Sequence, residues 1–414
     1  MNKGKPYNIS RHLVFEAFQK VKANHGAAGV DEKSIEDYEK NLKDNLYKLW
    51  NRMSSGSYMP KPVRGVEIPK KNGGKRLLGI PTVEDRVAQM VVRTHIEPML
   101  EPIFLKDSYG YRPNRSAIDA IRITRDRCWQ YNWVLEFDIR KLFDNIDHEM
   151  LMKALTKHTD CKWVLLYVER WLKAAFQMPD GSLVERTSGT PQGGVISPVL
   201  ANLFMHYAFD RWMVSQHKEL PWARYADDGI VHCRTRHEAE QIKSSLKDRL
   251  LACKLELHPD KTCIVYCKDT KRREAFENTS FDFLGYTFRP RVARNNKGQL
   301  FVSFSPAVSN QAKCKLRETI RCIRRACRQE DIEELADRMN PVIQGWINYF
   351  KHFCPSEMKR ELYFVNIALA RWAMRKYGKL QRHIAQALEW LRKCARTRTT
   401  LFVHWKLGNI PTVI

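Results

Sequence analysis

The stretch "ARYADDGIVHC", residues 223–233, restricts what this chain can fold into more than any other. Two apolar runs flank the adjacent aspartates Asp227 and Asp228, a pattern that predicts strand, tight turn and strand. Neighbouring carboxylates repel each other, and burying either one without a partner is costly. Two arrangements are open. The pair makes an ordinary polar hairpin turn, or it shares a positive partner with an acidic group from elsewhere in the chain.

A third carboxylate is available for the second arrangement. "WVLEFDI" (133–139) predicts a strand ending near Asp138, and Asp147 suits the N-cap of the helix that "HEMLMKAL" begins. Strand ends that meet in space would offer Asp138, Asp227 and Asp228 to Mg2+, a hard cation held by few carboxylates plus phosphate oxygens. Two such ions about 3.5–4 Å apart would clamp an attacking and a leaving oxygen.

Around these strands the pattern is mixed. Residues 8–55 read as two helices separated by a turn, and "VRGVEIPKKNGGKRLLGIP" (63–81) as a β-hairpin around Asn72-Gly73-Gly74. In "SGTPQGGVISPVLANLF" a glycine-rich loop enters a helix, with Ser197 the expected cap and Pro198 the expected first residue. Another helix is expected near 237–253, and from about 308 onward the pattern is almost wholly helical. The expected class is α/β (α+β), a mixed catalytic body with an α-helical appendage.

The 414 residues carry a formal net charge of +25. That points to a polyanionic partner, most simply nucleic acid. The last 125 residues hold 24 Lys/Arg against 9 Asp/Glu, so they supply +15 of the total. No apolar run approaches the roughly 18 residues of a membrane span, and "MNKGKPYNIS" is too polar for a secretory segment. The 11 cysteines include no C-x2-C pair. Reduced thiols are expected, as in the cytosol, rather than a zinc site.

In order along the chain, "IPKKNGGKRLLGIPTVEDRVAQ", "SYGYRPNRSAIDAI", "LEFDIRKLFDNIDHEML", "SGTPQGGVISPVLANLF", "RYADDGIV" and "FDFLGYTF" resemble the successive finger and palm motifs of reverse transcriptases. "GAAGVD" and "MNPVIQGWINYF" (339–350) narrow the resemblance to the reverse transcriptase/maturase proteins encoded by bacterial group II introns. The resemblance implies a right-hand polymerase. Fingers and palm would span 1–292, with an N-terminal helical extension over about 1–60. An α-helical thumb and maturase region would span 293–376, and a short basic extension, a reduced DNA-binding segment, 377–414. The zinc-containing endonuclease of many relatives is not expected here.

By resemblance, Asp138, Asp227 and Asp228 hold two Mg2+ ions, with Mn2+ as a substitute and the Ile139 carbonyl as a further ligand. Lys70 and Arg76 would grip an incoming triphosphate, and Gln192 would line the nucleotide pocket. Phe143 would crowd a 2′-hydroxyl, although it also reads as a core residue. Arg112 and Arg115 are expected on the template backbone. Lys261 in "HPDKT" reaches a phosphate or caps a turn, while His206 and His232 show no metal spacing and are expected to be structural.

The implied activity is RNA-directed DNA synthesis from a DNA primer with deoxynucleoside triphosphates. The implied partners are intron RNA, an RNA template and a DNA target, in the bacterial cytoplasm and at the nucleoid when acting on DNA. Two other roles stay open: a splicing-only RNA-binding maturase, and a domesticated reverse transcriptase in DNA repair or defence.

One basic segment stands apart. In "QAKCKLRETIRCIRRACRQ", Lys313, Arg317, Arg321, Arg324 and Arg328 share one helical face. Leu316, Ile320, Ile323 and Cys327 form an apolar face beside it. Glu318 is the only acid between 313 and 328, so ion pairs within the helix cannot neutralise the stripe. It reads as a solvated face or as a contact surface for nucleic-acid phosphates, and its thumb-like position favours the second.

Overall fold

The computed structural model describes residues 5–69 and 74–412. Two compact units emerge, Met1–Ala120 with Leu135–Ile264, and Ile121–Val134 with Val265–Ile414.

In the first unit, helices Arg11–Ala23, Ile35–Lys40 and Leu42–Ser55 precede an antiparallel hairpin of β1 (Val63–Pro69) and β2 (Lys75–Ile80). The expected turn residues Asn72 and Gly73, and Lys70 with them, lie outside the described residues. Thr82 then caps helix Val83–Leu100, accepting from the Asp85 backbone N–H. β3 (Trp133–Asp138) follows. The short strands β4 (Phe176–Gln177) and β5 (Leu183–Val184) extend the hairpin into a sheet of order β2-β1-β4-β5.

β6 (Trp222–Tyr225), β7 (Asp228–Cys233) and β8 (Cys263–Tyr266) join β3 in a second sheet, of order β6-β7-β3-β8. β3 and β7 are the central strands and are buried along almost their whole length, which is why both read as continuous apolar runs. Phe137 of β3 packs against Phe209, ring centroids 5.1 Å apart. Its ring also lies across Gly229, where a Cβ would come within 2.1 Å of it. Only glycine can follow Asp228 without displacing a ring whose burial contributes about 2–3 kcal/mol.

Asp147 caps helix His148–Thr156 as expected, accepting from the Met150 backbone N–H at 2.9 Å. Ser197 does not act as a cap. Helix Ser197–Met205 starts at Ser197 itself, and the serine hydroxyl is bonded to Thr190 Oγ1 at 2.7 Å instead.

The second unit opens with an antiparallel sheet of β9 (Phe281–Phe283), β10 (Tyr286–Arg294) and β11 (Leu300–Val308), order β11-β10-β9. Helices Asn310–Ala326, Ile332–Phe350, Pro355–Lys376 and Ile384–Thr397 follow. Two of the late motifs meet here. Tyr349 of "GWINYF" donates its hydroxyl to the Leu284 carbonyl of "FLGY" at 2.8 Å, and Tyr286 donates to the Tyr349 carbonyl at 2.5 Å. No described helix is long and apolar enough to cross a membrane.

Candidate active site

The β6–β7 turn pairs Tyr225 with Asp228 and leaves Ala226 and Asp227 at its tip. Ala226 has a φ of +58°, a left-handed conformation that costs a residue with a Cβ about 1–2 kcal/mol. Arg224 holds it there. The guanidinium is fully buried and donates to the Ala226 carbonyl at 3.0 Å, to both Asp210 carboxylate oxygens at 2.7 Å and to Ser108 Oγ at 2.8 Å. The loop containing Gly110 closes on the same turn, and a Cβ at Gly110 would lie 2.5 Å from the Ala226 nitrogen. Sequence reasoning passed over Arg224. Its signal was an arginine inside an apolar strand, because a cation buried there must have a partner.

The tip faces the end of β3, where the Ile139 backbone N–H donates to the Asp227 carbonyl at 3.2 Å. Asp138 is 8% exposed and accepts a hydrogen bond from the Lys261 ammonium. Burial, then repulsion from Asp227 and Asp138, pushes the Asp228 carboxyl up to about 7. Burial, followed by the charge of Asp138, raises Asp227 as well, with Lys261 and Arg76 opposing. Burial works against the Lys261 charge. Its hydrogen bond to Asp138 and the pull of all three carboxylates outweigh that and raise its pKa. The positive partner that the aspartate pair required is therefore in part Lys261, carried on the short 3-10 turn Pro259–Lys261.

Among the described residues, no group of three or more His, Cys, Asp or Glu is arranged so that it could hold a metal ion by itself. The cluster is open, and one lysine only partly offsets three carboxylates. A hard divalent cation here would depend on phosphate oxygens to complete its shell.

Beside the carboxylates runs a chain of polar contacts. Arg76 Nε donates to Gln192 Oε1, and Gln192 Nε2 donates to Asp144 Oδ1 at 3.2 Å. The Gly79 N–H donates to the Gln192 carbonyl at 2.9 Å, which fixes the glycine-rich loop against β2. Phe143 is buried, with its ring edge-on to Tyr111 at 6.2 Å, and Tyr111 lies 6.4 Å from Tyr225. Tyr111 was not singled out in the sequence. It is 46% exposed, and burial of part of the ring, then the charge of Asp227, raises its phenol. The structure thus brings Asp138, Asp227, Asp228, Arg76, Phe143 and Gln192 into one unit, and Lys261 and Tyr111 join them.

Two expectations need correction. Arg112 does not face outward. Its guanidinium is buried and donates to the Glu101 carboxylate at 2.6 Å and to the Leu105 and Ser108 carbonyls at 2.6 and 2.8 Å, so it holds a loop and has no donors to spare. Arg115 is exposed, with its guanidinium 5.9 Å from the Tyr109 ring.

The basic stripe is not a uniform outer face either. Lys313 bonds to Glu357 at 3.0 Å, and Arg317 grips Glu361 with two hydrogen bonds while lying 3.8 Å over the Phe364 ring. Arg321 and Arg328 are exposed, but Arg324 is buried. The acids that neutralise its first half sit on helix Pro355–Lys376, 44 positions away. His206 and His232 are both buried, as expected of structural histidines.

Residues 68–288, more than half of the chain, match the family Reverse transcriptase (RNA-dependent DNA polymerase), and residues 313–390 match the Group II intron, maturase-specific domain. The chain is 28% identical over 354 residues to the Group II intron-encoded protein LtrA of Lactococcus lactis subsp. cremoris, covering 69% of this chain and 56% of that protein. It is 31% identical over 278 residues to Protein YkfC of Escherichia coli (strain K12), covering 58% of this chain and 73% of that protein. The chain thus spans little more than half the length of LtrA. With its acidic hairpin, glycine-rich loop and late helical motif each inside a matched region, the chain belongs to the reverse transcriptase (RNA-dependent DNA polymerase) family.

Proposed function

We propose that this protein is an RNA-directed DNA polymerase of the group II intron kind. It extends a DNA primer on an RNA template and binds intron RNA to assist splicing and mobility. The observation that carries the reading is the acidic cluster itself, set on a strained turn beside an exposed arginine and a fixed glutamine. The primer 3′-hydroxyl gives up its proton to water as its oxygen joins the α-phosphorus of a deoxynucleoside triphosphate, and pyrophosphate leaves with the electron pair of the broken P–O bond.

Reverse transcriptases use divalent metals, and Asp138, Asp227 and Asp228 are the residues that would hold them here. Two Mg2+ ions, replaceable by Mn2+, would lower the cost of bringing the attacking and leaving oxygens together. Arg76, and Lys70 with it, offsets the negative charge of the triphosphate. Gln192 is held at its side chain by Arg76 and Asp144 and at its carbonyl by Gly79, which fixes it where it would line the nucleotide pocket. Phe143 is braced edge-on by Tyr111 and presents carbon where a 2′-hydroxyl would need room. Lys261 gives Asp138 a counter-charge that a bound cation would take over.

The test is extension of a labelled DNA primer annealed to RNA, with deoxynucleoside triphosphates and Mg2+. Product that needs both the RNA template and the metal supports the reading. RNA binding with no extension in any divalent metal would leave a splicing-only protein.

A further inference from the structure

Helices Asn310–Ala326 and Pro355–Lys376 flank a groove of about 50 Å³, with Leu316, Ile320 and Val365 along its apolar floor. Arg324 lines it and is only 8% exposed. Among the described residues this guanidinium has no hydrogen bond and no ion pair, and its Nε is buried without a partner. Its charged neighbours are cations. Burial first, then Arg375, Arg371, Arg325 and Arg321, weaken its hold on its proton. The acid in the groove, Glu361, is 2% exposed and already gripped by Arg317.

An arginine this buried, with an unpartnered Nε and like charge around it, is costly to keep. It is explained if an anion completes the set. Arg321 and Arg371 are exposed at the rim, so the site is open to a ligand. Planar guanidinium forks match phosphate oxygens in pairs, and an apolar floor strengthens those interactions by excluding water.

We propose that this groove seats a phosphodiester group of an RNA backbone, with Arg324 as the buried anchor and Arg321 and Arg371 closing over the oxygens. The ligand class rests on the RNA-binding reading above. What is added is the place. The seat is shared by two helices, and Arg317, which also lines it, is already taken by Glu361.

Two variants of the full chain test this, Arg324→Met and Arg371→Gln. Each is compared with wild type for binding of a fluorescein-labelled RNA hairpin over a range of salt, and for melting with and without inorganic phosphate. Both should bind the hairpin about tenfold or more weakly, and the log–log salt slope should fall by about 0.7–0.9 for each phosphate no longer neutralised. Arg324→Met should also melt higher than wild type without ligand, because a repelled buried charge is gone, and phosphate should no longer raise its melting temperature.

Hairpin affinity and slope unchanged in both variants would overturn the proposal. So would a lowered melting temperature in Arg324→Met with normal RNA affinity, which would make Arg324 a structural residue. A phosphate response abolished without any drop in RNA affinity would assign the groove to a small anion or an acidic protein segment. If the wild type extends primers on RNA while both variants bind normally, this inference alone has failed.

Discussion

The acidic turn at Ala226–Asp228 and the arginine groove around Arg324 are built alike with opposite sign. Each gathers side chains of one charge from segments far apart in the sequence and buries at least one of them. Elsewhere the same chain shows the alternative. Arg224 is matched by Asp210, Lys313 by Glu357 and Arg317 by Glu361, and those charges hold structure. The comparison supplies a criterion. A buried charge with its counter-charge in the chain is a brace, while one without it is reserved for a ligand. The turn has Lys261 as a partial counter-charge. The groove has given its acid to Arg317, so it is the less balanced of the two.

The largest effect is expected at the turn. Asp227→Ala or Asp228→Ala should lower primer extension by at least about 10³-fold, since in the proposed reaction the missing carboxylate would act only through the metals. RNA affinity should stay within about twofold. Substantial Mg2+-dependent extension by either variant would remove these residues from the metal site.

The braces should respond in stability. Arg224→Met leaves the fully buried Asp210 carboxylate unpaired and should cost about 3–5 kcal/mol in urea unfolding. Adding Asp210→Leu should recover most of the loss, because an apolar pair of similar volume replaces a buried ion pair at little cost. A single-variant loss below about 1 kcal/mol would show that this pair is not desolvated, and the criterion would fail at its clearest case.

How much could be read in advance follows the same division. The turn was legible because its information is local: two apolar runs and a pair of adjacent acids. Asp147 was legible as a cap for the same reason. The β10–β11 hairpin was missed, because its strands mix arginine, serine and proline with apolar residues and show no clean alternation. Arg112 was misread because the Glu101 carboxylate and the carbonyls of Leu105 and Ser108 converge on it only after the chain has turned. The basic stripe was half read. Its spacing was visible, but its neutralisation depends on Glu357 and Glu361 of another helix. Within 313–328 no inspection of charge could separate the paired Lys313 and Arg317 from Arg321, Arg324 and Arg328.

A smaller effect is expected beside the turn. Phe143→Ala should shift selection toward ribonucleotides by roughly tenfold, about 1.4 kcal/mol, by making room for the 2′-hydroxyl. Competition between ribo- and deoxynucleoside triphosphates checks this. Equal losses for both sugars would make Phe143 a packing residue braced by Tyr111 and nothing more.

The central claim is that the acidic cluster awaits a divalent cation, and melting of the full chain reads it without any catalysis. Asp228 titrates at about 7 in the folded chain, against 3.8 for an unperturbed carboxyl. Between those values the folded state holds the proton more tightly than the unfolded state. Metal-free stability therefore falls as pH rises through that window. Asp228→Asn has no proton to lose there, so it should lack that part of the decline and melt higher than wild type at pH 8. Mg2+ at pH 8 should then raise the melting temperature of the wild type and move the variant little. The same pH dependence and the same response to Mg2+ in both proteins would contradict the claim.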